Sequence, residues 1–134
     1  MTEKNTKSSP SMDEWLREAK ADADAPQEGM YLVHNGVVRK TAKAWVRLGE
    51  DYAPVSGMEF AYDPEKVAAT VEETRHMKGI FHARVWLNEG RLEVGDDIMY
   101  VLIGGDIRLN VIDALQFLVG RIKTECVDEV ELKD

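Results

Sequence analysis

Residues 98–124 read IMYVLIGGDIRLNVIDALQFLVGRIKT, an apolar run followed by a glycine pair and then by a helical pattern. The run at 98–103 is almost wholly apolar, which is typical of a central strand covered on both faces. Gly104-Gly105-Asp106 ends this strand, and we predict a long helix from Ile107 to about Thr124. One face of this helix is apolar, at Ile107, Val111, Leu115, Leu118 and Ile122. The stretch therefore predicts a buried strand joined directly to a helix that packs with one face against the core.

Strand and helix signals continue on both sides of this stretch. A capping box at Ser11–Glu14 predicts a short helix from about Met12 to Ala23, and Asp63-Pro64-Glu65 begins a second long helix that ends near Gly79. Strands are predicted at 30–39, 58–62, 80–87 and 125–132, the last of them at a sheet edge. This order predicts an α+β fold with a mostly antiparallel or mixed sheet.

Two segments leave alternatives open. Asn35-Gly36 interrupts the first predicted strand, either as a hairpin turn or as a bulge that bends one long strand. Residues 44–48 fit another strand, while residues 49–57 have the composition of a loop.

Length and composition bound the class of protein. The chain has 134 residues, 44% hydrophobic and 31% charged, so we expect a flexible segment at 1–10 and a single domain at 11–134. No apolar run approaches the length of about 18 residues that a membrane span needs, and the N-terminus lacks the apolar core of a secretory signal. We therefore expect a cytoplasmic protein without a membrane partner. The net charge of −8 also argues against a general nucleic-acid partner.

The charge is unevenly distributed along the chain. Residues 30–49 carry four basic residues and no acid, whereas residues 50–134 carry eighteen acids and nine bases. The four bases are Arg39, Lys40, Lys43 and Arg47. Such an island fits either a solvated surface or a binding site for an anionic ligand or an acidic chain end.

Isolated histidine and cysteine residues carry little functional signal. His34, His76 and His82 show no pair at metal-ligand spacing, so a structural or surface role is the simpler interpretation of each. Cys126 fits a packed thiol, and as a single cysteine it excludes a disulfide framework within the chain. We expect neither a metal site nor a bound cofactor.

Two cationic residues flank the long helix predicted at 107–124. Arg108 stands at its start, where unpaired N–H groups and the positive end of the helix dipole favour a phosphate, although Asp106 opposes an anion. A plain strand–helix turn explains this segment as well. Lys123 stands at the helix end, where a solvated lysine is favoured by the negative end of the dipole.

Several segments occur together in a familiar order. They are GMYLVHNGVVR at 29–39, the helix entry at 62–66, GRLEVGDDIMYVLI at 90–103, Arg108, and LQFLVGRIKTE at 115–125. Together they resemble the large, catalytic subunit of molybdopterin synthase over about residues 27–131. The resemblance implies an α/β-hammerhead domain that forms a homodimer within a heterotetramer.

The resemblance also implies a partner, a substrate and a reaction. The partner is a small ubiquitin-like sulfur-carrier subunit whose C-terminal Gly-Gly tail carries a thiocarboxylate. Its sulfur passes to cyclic pyranopterin monophosphate, which becomes molybdopterin. By position, Arg39 matches a pocket anion binder, Arg108 a phosphate-side arginine, and Lys123 the catalytic lysine near the acyl thiocarboxylate. Lys40 and Lys43, in the basic island, are further candidates for substrate binding.

The chain departs from that family at three positions. Ile107 stands where a histidine usually precedes the helix-start arginine, Leu87-Asn88-Glu89 stands where the family has His-Arg, and Val130-Glu131 stands where it has a second lysine. Two hypotheses follow. The chain is either a divergent enzyme that still transfers sulfur, or a catalytically degenerate homologue that binds the small subunit or a pterin without turnover.

Overall fold

Six strands form two three-stranded sheets in the computed structural model, which describes residues 7–49 and 53–133. The strands are β1 (Met30–Val37), β2 (Gly57–Tyr62), β3 (Ile80–Leu87), β4 (Gly90–Glu93), β5 (Asp97–Gly105) and β6 (Val127–Leu132). The sheet orders are β1-β5-β3 and β4-β2-β6, and every pairing between these described strands is antiparallel. The predicted central strand, the edge strand and the mostly antiparallel arrangement are therefore confirmed.

Helices cover these sheets. They are α1 (Met12–Lys20), α2 (Lys43–Leu48), α3 (Pro64–Arg75) and α4 (Arg108–Arg121), and a π-helical turn at Ile122–Cys126 extends α4. The predicted α+β fold with two long helices and a short N-terminal helix is confirmed. Among the described residues, no helix combines the length and the apolar character that a membrane span requires.

β5 is the strand around which the core is built. Its residues Val101 and Ile103 are fully buried in the main core with Val111 and Leu118 of α4. On the opposite face, Leu102 is fully buried against Trp15 of α1. Burial on both faces explains why this segment is apolar at nearly every position.

Local signals set the helix starts as the sequence predicts. The backbone N–H of Glu14 donates to Ser11 Oγ at 3.2 Å, although α1 ends at Lys20, earlier than predicted. Asp63 Oδ1 accepts from the N–H of Glu65 at 3.0 Å and of Lys66 at 3.2 Å. These side chains satisfy N–H groups that have no partner within their own helix.

The structure decides between the alternatives at Asn35-Gly36 and at residues 44–48. β1 runs through Asn35-Gly36 with a register shift between Gly36 and Val37, so the bulge is right and the hairpin is not. The predicted strand at 44–48 is wrong, because α2 occupies this segment. Glu131 Oε2 accepts from the N–H of Lys43 at 2.9 Å, and Gly49 ends the helix at a φ of 70°. A cap from a residue so distant in the chain is invisible to local sequence patterns.

Two further predictions concern the placement of Ile107 at the start of α4 and the flexibility of residues 1–10. Ile107 is 58% exposed, so its placement on the buried face of the helix is wrong. It precedes the first turn of α4 in extended backbone, where the helical periodicity does not apply. Of the segment predicted to be flexible, residues 1–6 lie outside the described residues. Within residues 7–10, Lys7 donates to the carbonyl of Leu87 at 2.6 Å and Ser9 donates to Asp97 at 2.6 Å.

Candidate functional site

A cavity of about 390 Å³ lies where the two sheets meet α2 and the end of α4. Its lining combines four cationic side chains, two carboxylates and a few apolar side chains. The lining residues are Val37, Arg39, Lys43, Val46, Arg47, Met58, Ile98, Lys123, Glu129 and Glu131. The cavity therefore carries a net charge of +2 within a chain whose total is −8.

Arg39 reaches the cavity from the end of β1. The preceding residue, Val38, is buried, and its N–H and C=O pair with Asp96 and Gly95 at 2.9 and 2.8 Å. Arg39 itself is exposed, and its Nε donates to the carbonyl of Thr41 at 3.0 Å. The backbone is thus fixed by its hydrogen bonds to Gly95 and Asp96, while the guanidinium keeps further N–H groups for an anion.

Lys43 and Arg47 reach the cavity together from α2. They are four residues apart, so they lie on one face of the helix. The Glu131 carboxylate on β6 holds the first N–H of this helix, which fastens α2 to the sheet. Arg47 was predicted only as part of the basic island at 30–49, and its spacing from Lys43 brings it to the cavity because the segment is a helix.

Lys123 reaches the cavity from the π-helical turn after α4. Its neighbour Ile122 is fully buried, and Cys126 at the end of the turn is 4% exposed. The side chain of Lys123 is 34% exposed, and Nζ donates to Oε1 of Glu129, a carboxylate that is only 14% exposed. A buried anchor on each side of Lys123 thus presents its ammonium group to the cavity.

Glu129 and Glu131 are the functional candidates that sequence analysis missed. They alternate along β6 and both face the cavity, while Val130 between them is 56% exposed. The sequence showed them as part of an acidic C-terminal segment, and the alternation of the predicted edge strand was the available signal.

The predicted site residues separate into two groups. Arg39, Lys43 and Lys123 line the cavity, and Lys40 is exposed next to Arg39 without lining it. Arg108 is exposed at the opposite end of β5, where Gly105 pairs with Met30. The length of β5 separates the two ends by roughly 26 Å, at about 3.3 Å per residue. Within one chain, Arg108 therefore cannot contact a ligand held by Lys123.

Among the described residues, no group of three histidine, cysteine or acidic side chains is placed to hold a metal ion. Cys126 is buried, and its Sγ lies 3.6 Å from Oγ1 of Thr70. Its surroundings are those of a packed thiol.

His34 lies near the cavity although it does not line it. It is partly buried on β1, and burial together with the positive charge of Lys123 lowers the pKa of its imidazole. Both causes favour the neutral ring in the folded chain. The structure thus places a histidine within electrostatic range of Lys123.

This lowered pKa predicts a loss of stability in acid. Above the ordinary histidine pKa of 6.5 the effect vanishes, and as the pH falls through that value the unfolded chain binds a proton that folded His34 resists. Between about pH 7.5 and 5, we expect the free energy of unfolding to fall less in His34→Gln than in the wild type, in urea titrations.

The matched control is His76→Gln, because the side chain of His76 is 75% exposed. We expect this variant to retain the contribution of His34 to the pH dependence. Equal pH dependence in His34→Gln and the wild type would contradict the assignment.

Comparison with known proteins gives a family and several structural relatives. The family described as MoaE protein matches residues 6–125. Molybdopterin synthase from Staphylococcus aureus is 19% identical with a TM-score of 0.70, over 93% of this chain and 87% of that chain. The molybdopterin biosynthesis MoaE protein from Burkholderia ambifaria MC40-6 is 20% identical with a TM-score of 0.68, over 95% and 82%.

A third relative is a chain of the protein–protein complex of subunits 1 and 2 of molybdopterin-converting factor from Helicobacter pylori 26695. It is 17% identical with a TM-score of 0.64, over 92% of this chain and 80% of that chain. A comparison with curated proteins gives no significant match. At these identities the solved structures establish the fold, and the family match spans most of the sequence. The chain therefore belongs to the MoaE family.

Proposed function

We propose that this chain acts in the cytoplasm as the large subunit of a molybdopterin synthase. It transfers sulfur from the thiocarboxylated tail of a small ubiquitin-like subunit to cyclic pyranopterin monophosphate. Family membership supports a role in molybdenum cofactor biosynthesis. The observation that carries the proposal is the convergence of Arg39, Lys43, Arg47 and Lys123 on one cavity, because both the tail and the substrate are anions.

The small subunit is supported as a partner by the structural relative from Helicobacter pylori, a protein–protein complex of subunits 1 and 2 of molybdopterin-converting factor. An extended Gly-Gly tail is narrow enough to enter a cavity of this size. Its terminal charge would meet the ammonium of Lys123 and the guanidinium of Arg39.

Sulfur transfer needs stabilisation of charge at the acyl carbon. When the thiocarboxylate sulfur attacks a side-chain carbon of the pterin, a C–S bond forms, the C–O bond at that carbon breaks, and its oxygen leaves with the electron pair. The tail is then an acyl thioester. Water then attacks the acyl carbon, the C–S bond breaks, the sulfur stays on the pterin, and the tail leaves as a carboxylate. Lys123 is the group placed to stabilise the oxyanion of the tetrahedral intermediate, since its ammonium lies in the cavity. A transient covalent bond between Lys123 and the tail is the alternative role.

Lys123→Ala tests this role directly. We expect molybdopterin formation from thiocarboxylated small subunit and cyclic pyranopterin monophosphate to fall by about 100-fold or more, the usual effect of removing an oxyanion donor. The circular dichroism spectrum and the oligomeric state should not change. The control is Lys78→Ala, an exposed lysine outside the cavity, which should retain full activity. Full activity in Lys123→Ala would contradict the role.

A homodimer would explain the position of Arg108. Within one chain, this arginine lies too far from Lys123 to act on the same substrate. If Arg108 binds the pterin phosphate, it must come from the second chain of a dimer, as an isologous interface allows. Ile107 and Leu109, which are 58% and 67% exposed on either side of it, give this tip an apolar surface for such a contact.

Mixed dimers test the sharing of the site. Arg108→Ala and Lys123→Ala chains carrying different tags would be co-expressed, and the mixed dimer purified through both tags. One of its two sites then has both residues intact, so we expect about half of the wild-type activity. Each parent dimer should be inactive or nearly so. A mixed dimer no more active than its parents would show that Arg108 does not act across the interface.

A second function is favoured by two features of the chain. Glu129 already pairs with Lys123, and the second lysine and the histidines of the family are absent. A chain that binds the small subunit or a pterin without turnover would have this property. Stable complex formation by the wild type without any product would favour this function over the enzyme.

A further inference from the structure

The C-terminal strand β6 brings negative charge into a cavity that is otherwise cationic. Glu129 and Glu131 both line it, and each has a partner there. Glu131 accepts from the backbone N–H of Lys43, and Glu129 accepts from Nζ of Lys123. The two carboxylates thus contact two different elements that line the cavity, α2 and the π-helical turn after α4.

The Lys123–Glu129 pair is more enclosed than the surface ion pairs of Arg84 and Arg121. Its side chains are 34% and 14% exposed, whereas those of Arg121 and Glu125 are 36% and 59% exposed. Exposed pairs contribute little because water competes for both charges. A carboxylate as buried as Glu129 needs its partner, since an unpaired charge out of water is strongly unfavourable. Glu129 therefore restrains Lys123 more firmly than a surface pair would.

Lysine alone is a poorly positioned donor. Its ammonium group sits on a flexible four-carbon stem and has three N–H donors. With one donor committed to Glu129, two donors remain for a ligand, and Lys123 and Glu129 both line the cavity. A fixed donor stabilises a developing charge better than a mobile one, because it does not have to reorganise during the reaction.

We propose that Glu129 is the positioning residue for Lys123 in the sulfur-transfer reaction. This inference rests on the proposed function. In this role, the carboxylate of Glu129 on β6 holds Nζ of Lys123 at the place where the acyl oxyanion forms. Its negative charge also opposes the resting tail, so its removal tightens binding of the small subunit while turnover slows.

Glu129→Gln tests the proposal, because it removes the charge and keeps the shape. We expect kcat to fall by about 10- to 100-fold, as for a small misplacement of a catalytic group. We also expect KM for the small subunit to fall, since a repelling charge is lost. Glu129→Asp keeps the charge at a shorter reach and should recover part of kcat. The control is Asp128→Asn, an exposed carboxylate next to Glu129 on the same strand.

A role in folding alone would reduce the fraction of active protein without this opposed change in kcat and KM. A wild-type kcat in Glu129→Gln would overturn the proposal. So would a fall in kcat accompanied by a rise in KM, which would indicate damage to the cavity.

Chemical labelling gives a second readout that does not depend on activity. We expect Lys123 to react with acetic anhydride several-fold faster in Glu129→Gln than in the wild type, by peptide mass spectrometry, while exposed Lys78 reacts at the same rate in both. An unchanged rate at Lys123 would overturn the proposal whatever the activity. If the wild type makes no molybdopterin, the proposed function is wrong, and the Lys123–Glu129 pair has no role in catalysis. Faster labelling would then show only that Glu129 restrains Lys123.

Discussion

The burial of β5 on both faces is the constraint on which the rest of the structure depends. Since both faces must be covered, α1 packs on one side, and α4 packs with α3 on the other. α4 follows β5 directly and runs back along the sheet. The C-terminal end of α4 therefore lies at the same end of the sheet as the C-terminal end of β1. This return path brings Lys123 to the same cavity as Arg39, although the two positions are 84 residues apart in sequence. The same path leaves Arg108 at the opposite end of the sheet from the cavity.

The cavity is built by a balance of charges. Four cations in a small space would repel one another, and two carboxylates from β6 reduce that repulsion while fixing α2 and Lys123 in place. The net positive charge that remains suits an anionic chain end and a phosphate. In this account, the acidic C-terminal segment, which departs from the family resemblance, becomes a structural part of the site.

Local patterns predicted those elements whose cause is local. The strand at 80–87 is found as predicted, and the caps at Ser11 and Asp63 begin their helices, because alternation and capping depend on neighbouring residues. α2 was missed because the pattern of the five residues 44–48 is too short to distinguish a strand from a helix. In addition, its cap comes from Glu131 on β6, which is distant in sequence. Of the site, the basic island and Lys123 were visible as charges. Their convergence, the pairing of Lys123 with Glu129 and the distance of Arg108 depend on tertiary structure, which local patterns do not contain.

In the proposed function, the cavity at Lys123 receives the tail of a small ubiquitin-like subunit. A crystal structure of this chain with that subunit tests it most directly. We expect a terminal carboxyl oxygen of the tail within about 3.2 Å of Nζ of Lys123, with the Arg39 guanidinium beside it. This role would be contradicted by a tail that ends outside the cavity. It would also be contradicted by a complex in which other parts of the chain keep the tail from the Lys123–Glu129 pair.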